Sequence, residues 1–501
     1  MEKCSIQEIG MRIFCRYKYL GKLVLISMVS ILVAGLCGCS TVPAAADFSE
    51  ITSFSESEAV SLWVVTEETM ADGMNQQVKY LSEQFHTQYP NVSFRLDILP
   101  SEETERQNYL ELLRDEMANG GGPDVFLMPT NPVLVLDKPR MYTYLRVAPL
   151  FEDVDQAMRS GTFMDVSSFY DADVELGKEH LAMAVMNAGV VKDARYVLPL
   201  RYTMPVMYVF PEEAKARGVD ENALSQNIDD WMAFTLELGD PLIACGAEYN
   251  SFNVFSDFLD YDAKKVVLEK DVLASYLEAY QKLEELIGTE AGHRNNAWLD
   301  SYLQGRWEPF PVQIASVSNA MTYAAVSKME GKQLEMYPVK TIDGDVVATV
   351  SYYGAIGRNC KNPEAAYLFL RMFLQEDAQW EMKRAENCES QYPGLMEQSW
   401  PVRNVGAVTS LWNNQKHSAL SSDSNKQAAK TAALEQVNLV QQDIPILQTQ
   451  IQIARFPLTG TGTLGYYTRQ LNDYEQSNQA AKVDIDQIAE EILDALNAKV
   501  Q

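Results

Sequence analysis

The stretch ANGGGPDVFLM, residues 118–128, decides how the first part of the chain folds. Three glycines and a proline interrupt a helical pattern, and four apolar residues follow Asp124. Glycine adopts positive φ freely and proline does not continue a helix, so we predict that a helix ends here and a buried strand begins. A phosphate-binding loop lies after a strand and before a helix, which is the opposite order, so no phosphate site is predicted.

The residues on either side of this stretch extend the pattern over residues 60–128. The run VSLWVV at 60–65 is β-branched and aromatic throughout, which is typical of a strand buried on both faces of a parallel sheet. A segment with helical spacing follows, residues 92–99 alternate apolar and polar side chains, and a second helix is predicted over 104–119. The order β-α-β-α-β predicts a doubly wound sheet.

Further along the chain, helices and strands continue to alternate. Four periodic segments predict helices, and Asp484 with Gln487 resembles a capping box at the start of the last one. Two apolar runs predict strands, and residues 196–210 join two further short apolar runs through Pro199 and Pro205. The helical segments are 228–239, 271–288, 362–382 and 483–500, and the strand segments are the start of 311–325 and 346–357.

Composition excludes several classes of function. The chain has 501 residues, 47% of them apolar and 10% aromatic, which is typical of a globular protein. A net charge of −28 argues against nucleic acid as a partner and against attachment to anionic lipid by charge. Four scattered histidines and the absence of zinc spacing predict no metal site, and no cofactor is predicted.

The N-terminus has the parts of a secretory signal. Basic residues precede an uncharged apolar run of 14 residues at 23–36, shorter than the about 20 that a membrane-spanning helix needs. A buried helix would not explain the basic flank. LCGC resembles the bacterial lipobox, which implies that residues 1–38 are a lipoprotein signal peptide and that Cys39 is lipidated. Residues 39–58 are small, polar and acidic, as in a flexible tether.

Three further cysteines follow Cys39, namely Cys245, Cys360 and Cys388. Their number is odd and their spacing is wide, so packed or free thiols are favoured. The alternative of a single disulfide between Cys360 and Cys388 is left open.

Six segments occur in the order of a known family. They are VSLWVV, GGGPDVFLM, YVLPLRYTMPVMYVF, SNAMTYAA, YYGAIGRNCKNPEAAYLFLRMFL and WPVRNVG. The chain resembles the extracellular solute-binding lipoproteins of ABC importers, in the group that includes the maltose-binding protein. The resemblance implies a two-lobed α/β fold, each lobe a doubly wound sheet, joined by a hinge of two or three segments.

The resemblance also implies where the lobes begin and end. The chain would cross near 200–205, return near Pro311 and cross again near 354–358. The implied ranges are 59–203 with 312–357 for lobe one and 204–311 with 358–501 for lobe two.

Strand ends facing the cleft would supply the ligand contacts. Asn131 both donates and accepts hydrogen bonds, which suits the recognition of hydroxyl groups. Glu67 and Glu68 fit equally well as a solvated acidic turn, and each tyrosine has core packing as its alternative. The implied contacts are Glu67, Glu68, Thr130, Asn131, Tyr202, Thr203, Ser318, Asn319, Tyr352, Tyr353, Tyr466 and Tyr467.

The implied function is capture of a small polar solute and its delivery to the permease subunits of an ABC transporter, with a sugar or oligosaccharide as the leading candidate for the solute. The protein would act as a monomer, without catalysis, anchored through Cys39 to the outer face of a bacterial cell membrane. Two alternatives stay open: a binding protein that serves a membrane sensor, and a secreted carbohydrate-active enzyme, which would need two suitably spaced carboxylates. No Gly-x-Ser-x-Gly, His-Glu-x-x-His or P-loop motif is present.

Overall fold

The structure is a computed structural model. Residues 52–501 form one compact unit. The parts of the chain that the structure describes are 58–67, 74–138, 141–244, 246–247, 251–288, 312–314, 331–333, 335–375, 378, 400–401, 447, 449–458, 464 and 484–501.

Strands and helices alternate through the described residues. The strands are β1 (Val60–Glu67), β2 (Val92–Leu99), β3 (Val125–Pro129), β4 (Val133–Lys138), β5 (Met141–Arg146), β6 (Val190–Val191), β7 (Ala194–Arg195), β8 (Val197–Thr203), β9 (Val206–Val209), β10 (Leu259–Asp260), β11 (Lys265–Val266), β12 (Val312–Ile314), β13 (Glu335–Pro338), β14 (Val346–Ile356), β15 (Trp400–Pro401) and β16 (Ile451–Arg455). The α-helices are α1 (Met74–Gln88), α2 (Glu103–Ala118), α3 (Val154–Arg159), α4 (Ser167–Ala172), α5 (Met183–Met186), α6 (Pro211–Ala216), α7 (Glu221–Leu224), α8 (Ile228–Leu238), α9 (Pro241–Ala244), α10 (Lys270–Ile287), α11 (Pro363–Met372) and α12 (Ile485–Val500). Short 3-10 helices span Lys178–His180, Asn187–Gly189 and Phe252–Val254.

The large sheet has seven strands in the order β15-β8-β14-β3-β1-β2, with β16 beside β14. β1 pairs in parallel with both β2 and β3, as the β-α-β-α-β pattern predicts. Leu62, Val64 and Val65 are fully buried, because helices cover both faces of such a sheet. β14 lies antiparallel between β3 and β8, so a strand from late in the chain completes this sheet.

The glycine stretch takes the predicted conformation. Helix α2 ends at Ala118, and Gly120 and Gly122 have φ of 82° and 99°. Asp124 then fixes the start of β3, because its carboxylate accepts a hydrogen bond from the Trp63 amide at 2.8 Å and its own amide donates to the Trp63 carbonyl, also at 2.8 Å. The stretch is therefore a helix end and a strand anchor.

A single cysteine of the described residues, Cys360, is free and buried. Its thiol follows the turn that ends β14 and faces the Asp124 carboxyl group. Burial and this carboxylate raise the pKa of Cys360 to about 12, so the group stays a thiol at neutral pH.

A small sheet of three strands has the order β12-β9-β13, all antiparallel. The chain passes from the large sheet to the small one between Thr203 and Val206, and from the small sheet to the large one between Pro338 and Val346. β12 and β13, which the implied ranges assign to lobe one, thus pair with β9 of the small sheet. The lobe ranges and the hinge positions stay predictions.

Helices α8, α10 and α12 pack beside the small sheet around one apolar cluster. Trp231, Leu277 and Ile492 belong to it and are buried, so Trp231 is a core residue. The Asp484 side chain accepts a hydrogen bond from the Gln487 amide at 3.2 Å, which caps α12 as predicted.

Candidate functional site

The carboxyl ends of the parallel strands define the candidate site. β1 ends at Glu67 and β3 at Pro129, and the register of β3 with β14 places Tyr352 beside Pro129. β8 runs antiparallel to β14 and ends at Thr203, just before the passage to the small sheet. Ligands of open α/β sheets bind beyond such strand ends, so this edge is the candidate site.

Two of the predicted contacts at this edge are accessible. Asn131 is exposed directly after β3, and Thr203 is half-buried at the end of β8. Neither side chain makes a hydrogen bond with the part of the chain that the structure describes. The Asn131 amide and the Thr203 hydroxyl are therefore available to a polar ligand.

Thr130, by contrast, has a structural contact. Its side chain is buried, and its hydroxyl donates to the Val350 carbonyl at 2.9 Å. Its amide donates to the Ser351 carbonyl, also at 2.9 Å. These bonds tie the end of β3 to β14 and so position Asn131, the next residue.

Glu67 forms a buried ion pair with Arg106 of α2. The guanidinium donates to both carboxylate oxygens, at 2.8 and 2.6 Å. The side chains are 0% and 2% exposed. Burial raises the pKa of Glu67, and the hydrogen bonds and positive charge of Arg106 oppose that shift. In this structure Glu67 is neither in a solvated turn nor open to a ligand.

Three predicted tyrosines are buried as well. Tyr202 is 0%, Tyr352 2% and Tyr353 1% exposed. The Tyr353 ring packs edge-on against Phe163 and Phe456, with centroids 6.5 and 5.7 Å away. The core-packing alternative therefore describes these rings here, and ligand contact through them stays a prediction.

Five predicted ligand residues and the predicted lipidation site lie outside the described residues. They are Glu68, Ser318, Asn319, Tyr466, Tyr467 and Cys39.

A second set of contacts joins helix α3 to the segment around β10. Tyr261 Oη donates to the Asp153 carboxylate at 2.8 Å, and Arg159 forms an ion pair with Asp262 at 2.6 Å. A cavity of about 710 Å³ adjoins these contacts, and no predicted ligand residue among those the structure describes lines it. Its lining residues are Arg159, Ser256, Asp257, Leu259, Asp260, Tyr261, Asp262, Val267, Asp343 and Asp345.

Asp155 of α3 has an unusual electrostatic environment beside these contacts. Burial and the neighbouring Asp153 carboxylate raise the pKa of Asp155 to about 7, although Arg159 and Arg455 oppose the shift. The carboxyl group is therefore half-protonated near neutral pH.

Sequence reasoning did not identify Arg106, Asp155 or Tyr261. A signal for Arg106 was present, because it lies four residues before Leu110 on the buried stripe of α2. A charge on an apolar helix face needs a buried partner. Asp155 and Tyr261 gave no such signal, since their environment comes from segments about 100 residues apart.

The described part of the chain holds no group of three or more His, Cys, Asp or Glu side chains arranged for a metal ion. Among the same residues, no helix is both long and apolar enough to cross a membrane.

The architecture is that of two-lobed α/β binding proteins, and solved structures share it. The extracellular solute-binding protein family 1 from Alicyclobacillus acidocaldarius is 15% identical, with a TM-score of 0.50 over 89% of this chain and 99% of that one. The galacto-N-biose-/lacto-N-biose I-binding protein of the ABC transporter from Bifidobacterium longum, in complex with lacto-N-biose, is 11% identical, with a TM-score of 0.50 over 87% and 96%.

No protein-family profile matches the chain, and no curated protein matches it. At 11–15% identity, the likeness to these structures shows the fold. The chain therefore has the periplasmic-binding-protein-like fold that its sequence motifs predict.

Proposed function

We propose that the protein is an extracytoplasmic solute-binding protein that captures a small polar solute and delivers it to an ABC transporter permease. A sugar or oligosaccharide is the leading candidate for the solute. The observation that carries this proposal is a pair of polar side chains at the carboxyl edge of the large sheet, Asn131 and Thr203, which have no hydrogen-bond partner among the described residues. They lie where the chain passes to the second sheet, and interdomain clefts are favoured ligand sites. The solved structure from Bifidobacterium longum with this fold binds lacto-N-biose.

Capture would require the two sheets to move about the passages at 203–206 and 338–346. Closure around a solute derives its free energy from the higher affinity of the closed state. Sugar hydroxyls need donors and acceptors together, which the Asn131 amide provides in one side chain. No catalytic step is part of this proposal.

A thermal-shift screen of mono- and oligosaccharides, polyols and anionic sugars tests this function. A cognate solute at 100 times its Kd stabilises the folded protein by about 2.7 kcal/mol, which raises Tm measurably. Asn131→Ala should weaken binding of that solute at least about tenfold and leave the Tm of the free protein within about 1 °C, because the side chain is exposed and unbonded. Asn222→Ala, a change at another exposed asparagine, is the matched control.

Flat melting curves for every sugar would contradict carbohydrate as the solute class. Release of product from an oligosaccharide would instead support the enzyme alternative. Co-purification of a histidine kinase without a permease would support the sensor alternative, which shares the same fold.

The proposed attachment to the membrane rests on Cys39 and its preceding LCG. Cys39→Ala should move the protein from the membrane fraction of the bacterium to the soluble extracytoplasmic fraction, because acyl chains on that cysteine would be its anchor. Metabolic labelling with an alkyne fatty acid, read on a gel, measures the modification directly. Cys37→Ala is the control, and loss of label in that variant rather than in Cys39→Ala would relocate the lipidation site.

A further inference from the structure

A second cavity lies at the opposite edge of the large sheet, where β3 begins and β14 ends. Its volume is about 340 Å³, within the range of small-ligand sites. None of the predicted solute contacts that lie within the described residues borders it. Its lining includes Arg114, Gly121, Leu150, Phe151, Thr162 and Arg358.

Two guanidinium groups at this cavity, those of Arg114 and Arg358, have no carboxylate partner within the part of the chain that the structure describes. No ion pair among the described residues includes Arg114 or Arg358. Among the described residues, Arg114 Nη2 donates to the Leu150 carbonyl at 3.3 Å, and the Arg358 side chain has no hydrogen-bond partner. Because no carboxylate of the described residues pairs with either arginine, both guanidinium groups are available to an anion in the cavity.

Part of the cavity wall is a packed aromatic cluster. The Phe151 ring packs edge-on against Phe126 and Phe163, with centroids 5.3 and 5.0 Å away. Leu150 is buried beside them. The packed rings give the cavity a preformed flat surface that suits an apolar ring of a ligand, because the aromatic contacts hold their positions.

Hydrogen bonds hold the rim of the cavity in place. Asn359 Nδ2 donates to the Gly121 carbonyl at 3.1 Å, which joins the glycine stretch to the turn after β14. The Arg358 amide donates to the Thr162 carbonyl at 3.1 Å, which joins the same turn to the loop after α3. Ligand binding would therefore cost little ordering of the protein.

We propose that this cavity binds a small carboxylate with an apolar ring. The guanidinium groups of Arg114 and Arg358 hold the carboxylate, since arginine matches its geometry in a bidentate manner. The ring lies against Phe151 and Leu150. The site is separate from the solute site, being on the other edge of the sheet, and its occupancy does not depend on the proposed transport function.

Isothermal titration of the full-length protein with indole-3-acetate tests this site. The expected result is binding of indole-3-acetate and at least about tenfold weaker binding of indole-3-acetamide, which has the same ring but no charge. Sodium acetate should also bind at least about tenfold more weakly, because it has no ring to bury. Equal binding of the amide, or no binding of indole-3-acetate up to millimolar concentration, would overturn the proposal.

Variants assign the binding to this cavity. Arg358→Gln and Arg114→Gln should each weaken indole-3-acetate binding about tenfold or more, with the Tm of the free protein little changed, since both side chains are exposed. Lys361→Gln removes an equal charge three residues further on, from a side chain that does not line the cavity. A similar loss in Lys361→Gln would show a general charge effect and overturn the site.

Discussion

Arg106→Met should lower the free energy of unfolding by about 3–5 kcal/mol, because it leaves the Glu67 carboxylate buried without its partner. The guanidinium makes two bonds to Glu67, and Nε donates to the Ala148 carbonyl at 2.9 Å. Nη1 also contacts the Pro100 carbonyl at 3.3 Å. One side chain thus joins the end of β1, helix α2 and two loops, and no water replaces it in a buried site.

Urea unfolding of the ligand-free protein, followed by circular dichroism, measures this loss. Arg95→Met is the control, because Arg95 pairs with Asp97 at 2.8 Å but its side chain is 57% exposed. An exposed pair contributes about 0–1 kcal/mol, so this variant should remain close to the wild type. Similar losses in both variants would contradict a special role for the buried pair.

A double variant separates the loss of charge balance from the loss of packing. Glu67→Gln together with Arg106→Met removes both charges and should recover part of the stability lost in Arg106→Met. If the double variant were less stable than Arg106→Met alone, the charge explanation would be wrong. Solute binding by the double variant would also show whether the Glu67 carboxylate is needed for recognition, as the family resemblance implies.

The elements that could be predicted from the sequence are those whose cause is local. The β-α-β-α-β segment at 60–128 follows from apolar periodicity, and the helix end before β3 follows from Gly120, Gly122 and Pro123. The sequence also placed Asn131 at a strand end, which the structure confirms. In each case the signal lies within a few residues of the element.

Features that depend on distant segments were not predicted. β14 enters the large sheet between β3 and β8, and the Thr130 hydroxyl bonds to Val350, 220 residues later. Periodicity does not encode such pairing, because an apolar strand fits many neighbours equally well. The burial of Tyr202 and Tyr353 has the same origin, since it depends on which strands and rings cover them.

Local signals and distant contacts together determine what the candidate site offers a ligand. Asp124 of the glycine stretch fixes the start of β3. The Thr130 hydrogen bonds fix the end of β3 to β14. The ion pair of Glu67 with Arg106 fixes the end of β1. The polar groups that make these bonds support the edge, whereas the Asn131 and Thr203 side chains make no hydrogen bond with the described residues and stay open to a ligand. A rigid support beneath a few free polar groups reduces the ordering cost of binding.

Asp155→Asn should stabilise the protein at pH 8 and have little effect near pH 4. The pKa of Asp155 is raised from 3.8 to about 7, so the folded protein binds this proton more tightly than the unfolded chain does. Between these two pKa values stability falls as pH rises, and the cost of the charged form is complete above about pH 7. Asparagine has no charge to bury, and its advantage at pH 8 has an upper bound of about 4 kcal/mol.

Melting curves of both proteins from pH 4 to 8 measure this effect as a Tm difference that grows with pH. Asp171→Asn, at an exposed aspartate of α4, controls for the loss of one negative charge. A Tm difference that is constant with pH, or that shrinks as pH rises, would contradict the raised pKa. The sign of the Tm difference separates the two possible outcomes, because Asp153 opposes ionisation of Asp155, whereas Arg159 and Arg455 favour it. If the two arginines prevailed, the carboxylate would be stabilising and Asp155→Asn would lower Tm at pH 8 instead.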